Sequence, residues 1–300
     1  MLFSHFQMIS SRFNLRQVSG AVSVAAALIL SAPALAVCPD DAAIDAYLVD
    51  FAKLQVSKGF GNDISLADAE CAKNKLGKKL PLYLGKLVGY KAGFTNPALQ
   101  KRFGVDGPKW GYMYNRNMID MIAVLPADFG ARPLYEADLV VEVKDARLAD
   151  AKTPLEALNY LEAVVPFIEL PDLMLEGQFS GTNMIATNVA FRGGVLGMEL
   201  PIVKTQAFLD AMANMTVIMV DENDNNKELG RGKGSALMDN PINAAMWLAR
   251  ELKKDGITLK KGDLLSLGGF FPPQPTKSGM KVRLQYVGLP GDPALTVEFN

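Results

Sequence analysis

Histidine is nearly missing from this chain: there is one in 300 residues, and it is His5. His5 lies in an N-terminal stretch that reads as a removable leader, so the remainder has no imidazole. That excludes a Ser-His-Asp triad, a Cys-His pair and a histidine metal ligand. A metal must then be held mainly by oxygen, which suits Mg2+, Mn2+ or Ca2+ better than Zn2+ or Cu2+. A general base must be a carboxylate, a lysine, a tyrosine or an activated water. Charge of one sign is also lacking. Basic and acidic residues number 31 and 32, and no basic stretch stands out from its acidic neighbours. Nothing in that pattern suggests a nucleic-acid surface. What is present is apolar: 49% hydrophobic against 21% charged, ample for a core in one large domain or two small ones.

The leader is the clearest local signal. Arg12 and Arg16 precede an apolar run over 18–30, followed by Ser31-Ala32-Pro33-Ala34-Leu35-Ala36. Ala34 and Ala36 supply the small residues that a signal peptidase needs, so residues 1–36 are expected to be a signal peptide. The alternative is a membrane anchor, since 18–37 carries no charge and is nearly long enough to span. Its Ala and Ser content and the break at Pro33 favour cleavage, and Val37 before Cys38 disfavours lipidation. Loss of Arg12 and Arg16 takes the net charge from −1 to about −3. The mature protein is expected to be secreted, most simply periplasmic, with no membrane attachment. In an oxidising compartment Cys38 and Cys71 can form one bridge, with two unpaired thiols as the alternative.

No internal repeat or low-complexity linker divides residues 37–300, which read as a single domain. Apolar residues Ile44, Tyr47, Leu48, Phe51 and Leu54 recur at helical spacing. Ser65-Leu66-Ala67-Asp68 has the form of a capping box opening a helix that carries Cys71. Residues 87–94 read as a strand. Thr153-Pro154 opens a helix expected over 155–164, with strand composition over 165–170. Strands are expected at 215–220, 264–267, 280–287 and 294–299, and a helix runs from Asn240-Pro241 to near Gly256. Helices early and strands late indicate an α+β class.

Three stretches carry candidate chemistry. In Tyr135-Glu136-Ala137-Asp138-Leu139-Val140-Val141, strand alternation puts Glu136 and Asp138 on one face. Taken alone, a solvent-facing strand face explains this better than a site does. In Val164-Val165-Pro166-Phe167-Ile168-Glu169-Leu170, Glu169 sits in an apolar run. A buried carboxylate there must be neutralised, paired with a lysine or arginine, or bound to a hard cation. In Val88-Gly89-Tyr90-Lys91-Ala92-Gly93-Phe94-Thr95, glycines flank Lys91 and allow close approach. That lysine either meets a substrate or snorkels at the surface.

The ordered set of these motifs resembles the 2-keto-4-pentenoate hydratase branch of the fumarylacetoacetate hydrolase superfamily. The resemblance rests on Gly-Tyr-Lys-Ala-Gly-Phe-Thr at 89–95, Phe-Gly-Val-Asp-Gly-Pro at 103–108, and Glu136-Ala137-Asp138. It continues through Pro166-Phe167-Ile168-Glu169, Gly232-Lys233-Gly234-Ser235, the segment from Asn240 to Ala249, and Lys261-Gly262-Asp263-Leu264-Leu265. It implies a β-rich fumarylacetoacetase-like fold with a helical N-terminal part. It also implies a divalent cation, Mg2+ or Mn2+, held by Glu136, Asp138 and Glu169. Lys91 matches the family's pocket lysine, and Asn188 and Ser235 fall at substrate-binding positions. The chain departs from the pattern at Asp138, where relatives carry Glu, at Asn183 and Thr187, where they carry Asp, and at Leu267, where they carry Thr.

The implied activity is a metal-dependent hydro-lyase acting on a small 2-keto or 2-hydroxy-dienoate acid. A vinylogous 2-keto acid decarboxylase and a non-catalytic periplasmic protein that binds metal or keto acid are the alternatives. The resemblance also implies a homo-oligomer, although no interface is legible in the sequence. The leader generates the first test. N-terminal sequencing of the protein recovered from its own host is expected to begin at Val37, and an intact Met1 terminus would overturn the export reading.

Overall fold

The computed structural model describes residues 37–300, so the leader assigned to 1–36 lies outside the described residues. Among the described residues no helix is long and apolar enough to cross a membrane.

The described residues begin with two helices, α1 (Asp41–Ala52) and α2 (Leu66–Lys79). Ser65 Oγ caps α2 by accepting from Asp68 N at 3.1 Å and donating to Asp68 Oδ2 at 2.6 Å. A disulfide joins Cys38, just before α1, to Cys71 within α2. Short α3 (Pro81–Leu84) leads into β1 (Leu87–Gly93), and α4 (Pro97–Phe103) precedes β2 (Lys109–Tyr114). Strands β3 (Met118–Asp120) and β4 (Ile122–Leu125) follow, then the long pair β5 (Leu134–Val143) and β6 (Leu161–Pro171), joined through α5 (Pro154–Ala157). Next come α6 (Gly181–Ala186), β7 (Phe191–Leu196), β8 (Leu200–Pro201), α7 (Gln206–Asn214), β9 (Thr216–Asp221) and β10 (Lys227–Lys233). Helix α8 (Pro241–Lys254), β11 (Leu264–Ser266), β12 (Gln274–Pro275), β13 (Met280–Val287) and β14 (Ala294–Phe299) complete the fold.

The strands form two mixed sheets. The nine-stranded sheet runs β2-β1-β11-β5-β6-β7-β3, with β12 on β5 and β8 on β6. The five-stranded sheet runs β10-β9-β13-β14-β4. This is the expected α+β class. The strands are not confined to the C-terminal half, however, because β1, β2, β3, β5, β6 and β7 already build most of the larger sheet.

Side-chain alternation along β5 sorts its two faces. Tyr135, Ala137, Leu139, Val141 and Val143 enter the main core with α8 and the inner face of the smaller sheet. The even-numbered positions face the other way. There Val140 packs with Val165 and Phe167 of β6, and the acidic residues follow. A second core packs α1, α2 and α6 against Met113, Tyr114 and Phe191. A buried ion pair ties this helical part down: Arg192 Nε donates to Asp172 Oδ2 at 2.8 Å, and its Nη2 reaches the Phe51 carbonyl at 3.2 Å.

The helix expected over 155–164 is corrected. Only Pro154–Ala157 is α-helical, a 3-10 turn covers Leu158–Tyr160, and β6 begins at Leu161. Val164 and Val165 pair with Val141 and Val140. The ladder offers these β-branched side chains two packed faces, and that outweighs the helical start signal at Thr153-Pro154.

The disulfide closes a sequence separation of 33 residues. Chain-entropy arguments give such a loop about 3–4 kcal/mol. Cys71→Ser is therefore expected to lower the urea midpoint by an amount worth about 3 kcal/mol. An unchanged midpoint would show that the bridge adds nothing.

Candidate active site

The long β5–β6 ladder sets Glu136 directly opposite Glu169, and Asp138 opposite Phe167. Register and alternation thus put Glu136, Asp138 and Glu169 on one face of the larger sheet. Strand β11, from late in the chain, lies between β5 and β1, with Ser266 paired to Val140 on one side and to Lys91 on the other. That insertion brings Lys91 to the same face. Asp138, Glu169 and Lys91 are 0%, 1% and 4% exposed, so all three are out of water, while Glu136 is half-buried. The bland readings of Asp138 as a solvent-facing residue and of Lys91 as a surface lysine both fail on burial.

Each buried charge has partners. Lys91 Nζ forms a short ion pair with Glu169 and donates to the Val189 carbonyl at 3.0 Å. Asp138 accepts from Ser266 Oγ at 2.6 Å, from Gly268 N at 3.0 Å and from Leu267 N at 3.2 Å. Behind it the Tyr286 hydroxyl, arriving from the smaller sheet, bridges the Asp138 carbonyl to the backbone of Phe167. The charges still do not balance, with three carboxylates facing one ammonium. Burial, then the charges of Glu169 and Asp138, hold the Glu136 carboxyl well above the usual range, against the pull of Lys91. Burial and Glu169 push Asp138 up to about 7, and the donors from Ser266 and Leu139 only partly offset this.

The donor set fits a hard divalent cation. It is all oxygen, it has no competing imidazole or thiolate, and it carries an excess of negative charge. As the side chains stand, no three of them close round one point among the described residues. Lys91 holds Glu169 through one carboxylate oxygen, Oε1, and the start of the β11–β12 connection holds Asp138, so a cation would have to share these carboxylates with their present partners.

The remaining expected residues lie differently. Asn188 is buried, and its side-chain amide is turned to the backbone of Tyr112. Ser235 is exposed on the turn after β10, and the structure gives it no hydrogen bond to the carboxylates. Asn183 and Thr187 serve local structure. Asn183 accepts from Phe60 N at 2.9 Å and donates to Lys58 O at 3.0 Å, and Thr187 donates to helix carbonyls at 3.1 Å. Leu267 points into the main core, and its N–H rather than its side chain faces Asp138. Sequence reasoning missed Ser266 and Tyr286. The register of β11 reveals the first, and nothing local to residue 286 marks the second. Cavities of about 400 and 310 Å3 lie elsewhere, one beside Trp110 and Tyr112, the other beside Arg116 and Asn117. Neither includes a carboxylate of the trio, and the concentration of buried charge is the stronger pointer to chemistry.

The chain is 28% identical over 242 residues to a 2-keto-4-pentenoate hydratase of Paraburkholderia phymatum, covering 80% of this chain and 81% of that one. It is 29% identical over 205 residues to 2-keto-4-pentenoate hydratase 1 of Dechloromonas aromatica, covering 68% and 75%. The chain is a relative of the 2-keto-4-pentenoate hydratases. Its fold is that of 4-oxalocrotonate decarboxylase from Pseudomonas putida G7, solved with magnesium and adipate, at a TM-score of 0.75 and 19% identity over 86% of this chain and 96% of that one. It also matches fumarylpyruvate hydrolase from Pseudomonas aeruginosa, solved with Mn2+ and pyruvate, at a TM-score of 0.50 and 14% identity over 70% and 88%. No family model matches the chain.

The charge imbalance predicts substitutions of opposite sign in chelator-treated protein. Lys91→Met strands Glu169 and is expected to cost about 3–5 kcal/mol. Glu136→Gln removes a repelled, half-exposed charge and is expected to stabilise by about 1 kcal/mol. Denaturant unfolding of both variants checks this, and destabilisation by Glu136→Gln would contradict the repulsion.

Proposed function

We propose that this protein is a metal-dependent hydro-lyase that adds water to a small 2-hydroxy-2,4-dienoate or its 2-keto form. The observation that carries this reading is the Glu136–Glu169 pair across the β5–β6 ladder, with Asp138 beside it and the Lys91 ammonium against it. The hydratase relatives supply the reaction class. Glu136, Asp138 and Glu169 would hold Mg2+ or Mn2+. When bound, the cation supplies Lewis-acid stabilisation of the negative charge that develops on an enol acid.

The chain's own groups do the rest. The Lys91 ammonium, anchored by Glu169 and Val189, presents a proton and a positive charge to the substrate. In the reaction the enol hydroxyl gives up its proton, the terminal carbon of the diene takes one up, and water then adds across the remaining conjugated double bond. Every atom of substrate and water is retained. Apolar Val140, Val165 and Phe167 beside the carboxylates keep bulk water from that side of the site.

The leader motif supports the further proposal that the enzyme works after export, in the periplasm. Its partner there is a small keto or enol acid. The Cys38–Cys71 bridge suits an oxidising compartment.

The test is direct. A short 2-hydroxy-2,4-dienoate absorbs in the near ultraviolet, and hydration destroys the conjugation. Purified protein with Mg2+ or Mn2+ is expected to bleach the band catalytically, and chelator to slow this at least about 10²-fold. Glu169→Gln weakens cation binding in calorimetry, whereas Lys91→Met lowers turnover and keeps cation binding. Release of CO2 would identify a decarboxylase instead. Cation and acid binding without turnover on any chain length would identify a binding protein.

A further inference from the structure

The segment after α6 turns left-handed three residues running: φ is 62° at Asn188, 51° at Val189 and 58° at Ala190. None of them is glycine, and Val189 is β-branched, so each Cβ opposes the conformation. Such backbone persists only where its surroundings impose it.

Here they do so from three sides. Asn188 Oδ1 accepts from Tyr112 N at 2.7 Å, and its Nδ2 donates to Tyr112 O at 3.0 Å. Strand β2 is at the edge of its sheet, so the amide takes the place a further strand would occupy. The Ala190 carbonyl accepts from Asp172 N at 2.9 Å. Two glycines make the room: a Cβ on Gly93 would lie 2.4 Å from Val189 Cγ1, and one on Gly111 would lie 2.9 Å from the Asn188 carbonyl. Gly111 is the register partner of Lys91, and Gly93 follows Lys91 on the same face of β1. The turn is therefore seated beside Lys91, and its Val189 carbonyl takes one N–H of the ammonium while Glu169 takes another. With two of three N–H directions taken, the tetrahedral nitrogen has a set direction for the third.

We propose that Asn188 is a positioning residue. By clamping the left-handed turn to β2 it fixes the Val189 carbonyl, and through that carbonyl it aims the free N–H of Lys91. Its amide serves Tyr112 and not the substrate. For its kinetic readout the inference rests on the enol-acid chemistry proposed above.

The test uses Asn188→Ala and Asn188→Gly in the full chain. Glycine accepts the positive φ without a Cβ clash, so it guards against simple misfolding. In the first arm, reductive methylation of metal-free protein is followed by peptide mass spectrometry, with exposed Lys254 as internal reference. Lys91 is expected to react at least about tenfold faster in both variants, with Lys254 unchanged, because the ammonium has lost its second anchor. In the second arm, kcat on the dienoate is expected to fall about 10²-fold with KM within about twofold, as for a misaimed catalytic group. Unchanged Lys91 reactivity in both variants overturns the proposal. So does a raised KM at constant kcat, which would make Asn188 a substrate contact. So does full recovery in Asn188→Gly, which would make the clamp unnecessary. If the parent protein fails to turn over any dienoate, the proposed function falls, and the methylation arm still decides the role of Asn188.

Discussion

Two carboxylates facing each other across a buried antiparallel ladder cannot both be ionised without something positive between or beside them. That constraint organises the molecule around it. Lys91 answers part of it by pairing with Glu169. Asp138 is met by a hydroxyl and two backbone N–H groups from the end of β11. Glu136 is left in the field of both neighbours. Moving an ion out of water costs several kcal/mol even after relaxation, so a fold selected for stability alone would have placed apolar side chains here. The opposite face of β5 does so without exception along Tyr135, Ala137, Leu139, Val141 and Val143.

Much of this was legible in the sequence, and what was not has a common cause. Alternation along 135–141 put Glu136 and Asp138 on one face, and the apolar setting of Glu169 marked it as buried. The caps at Ser65 and Asn240 opened helices where expected. The pairing of Lys91 with Glu169 was invisible, because the partners are 78 residues apart and meet only through the insertion of β11 between β1 and β5. The apolar run around Glu169 calls for neutralisation, a basic partner or a cation. The structure supplies the basic partner, and the charge excess leaves room for the cation. The misread helix at 155–164 failed because its start signals were local and real, while the strand that begins at Leu161 is decided by a partner nearly twenty residues earlier in the chain. The left-handed turn at 188–190 also gave no sign of itself, since it has no glycine to announce it.

The departures from the hydratase pattern fall into two groups. At Asn183, Thr187 and Leu267 the side chains are spent on local structure or on the core. In this chain Asn183 and Thr187 bond to backbone away from the carboxylates, and the Leu267 side chain lies in the main core. The shortening at Asp138 is of another kind, because that side chain is itself in the trio. Its oxygens lie close enough to its own sheet to be bonded by backbone N–H groups, whereas a longer side chain would carry them farther from the strand.

The Tyr286 hydroxyl gives the smaller sheet a hold on this chemistry. It joins Asp138 and Phe167, partners on neighbouring strands, from the side away from the carboxylates. A phenylalanine there would fill the same space and leave buried backbone groups without their partner. The two sheets are therefore not free to diverge independently. A change that shifts β13 by a fraction of a hydrogen-bond length is felt as a change in the spacing of the acidic strands, passed on through a hydroxyl that touches only their backbone.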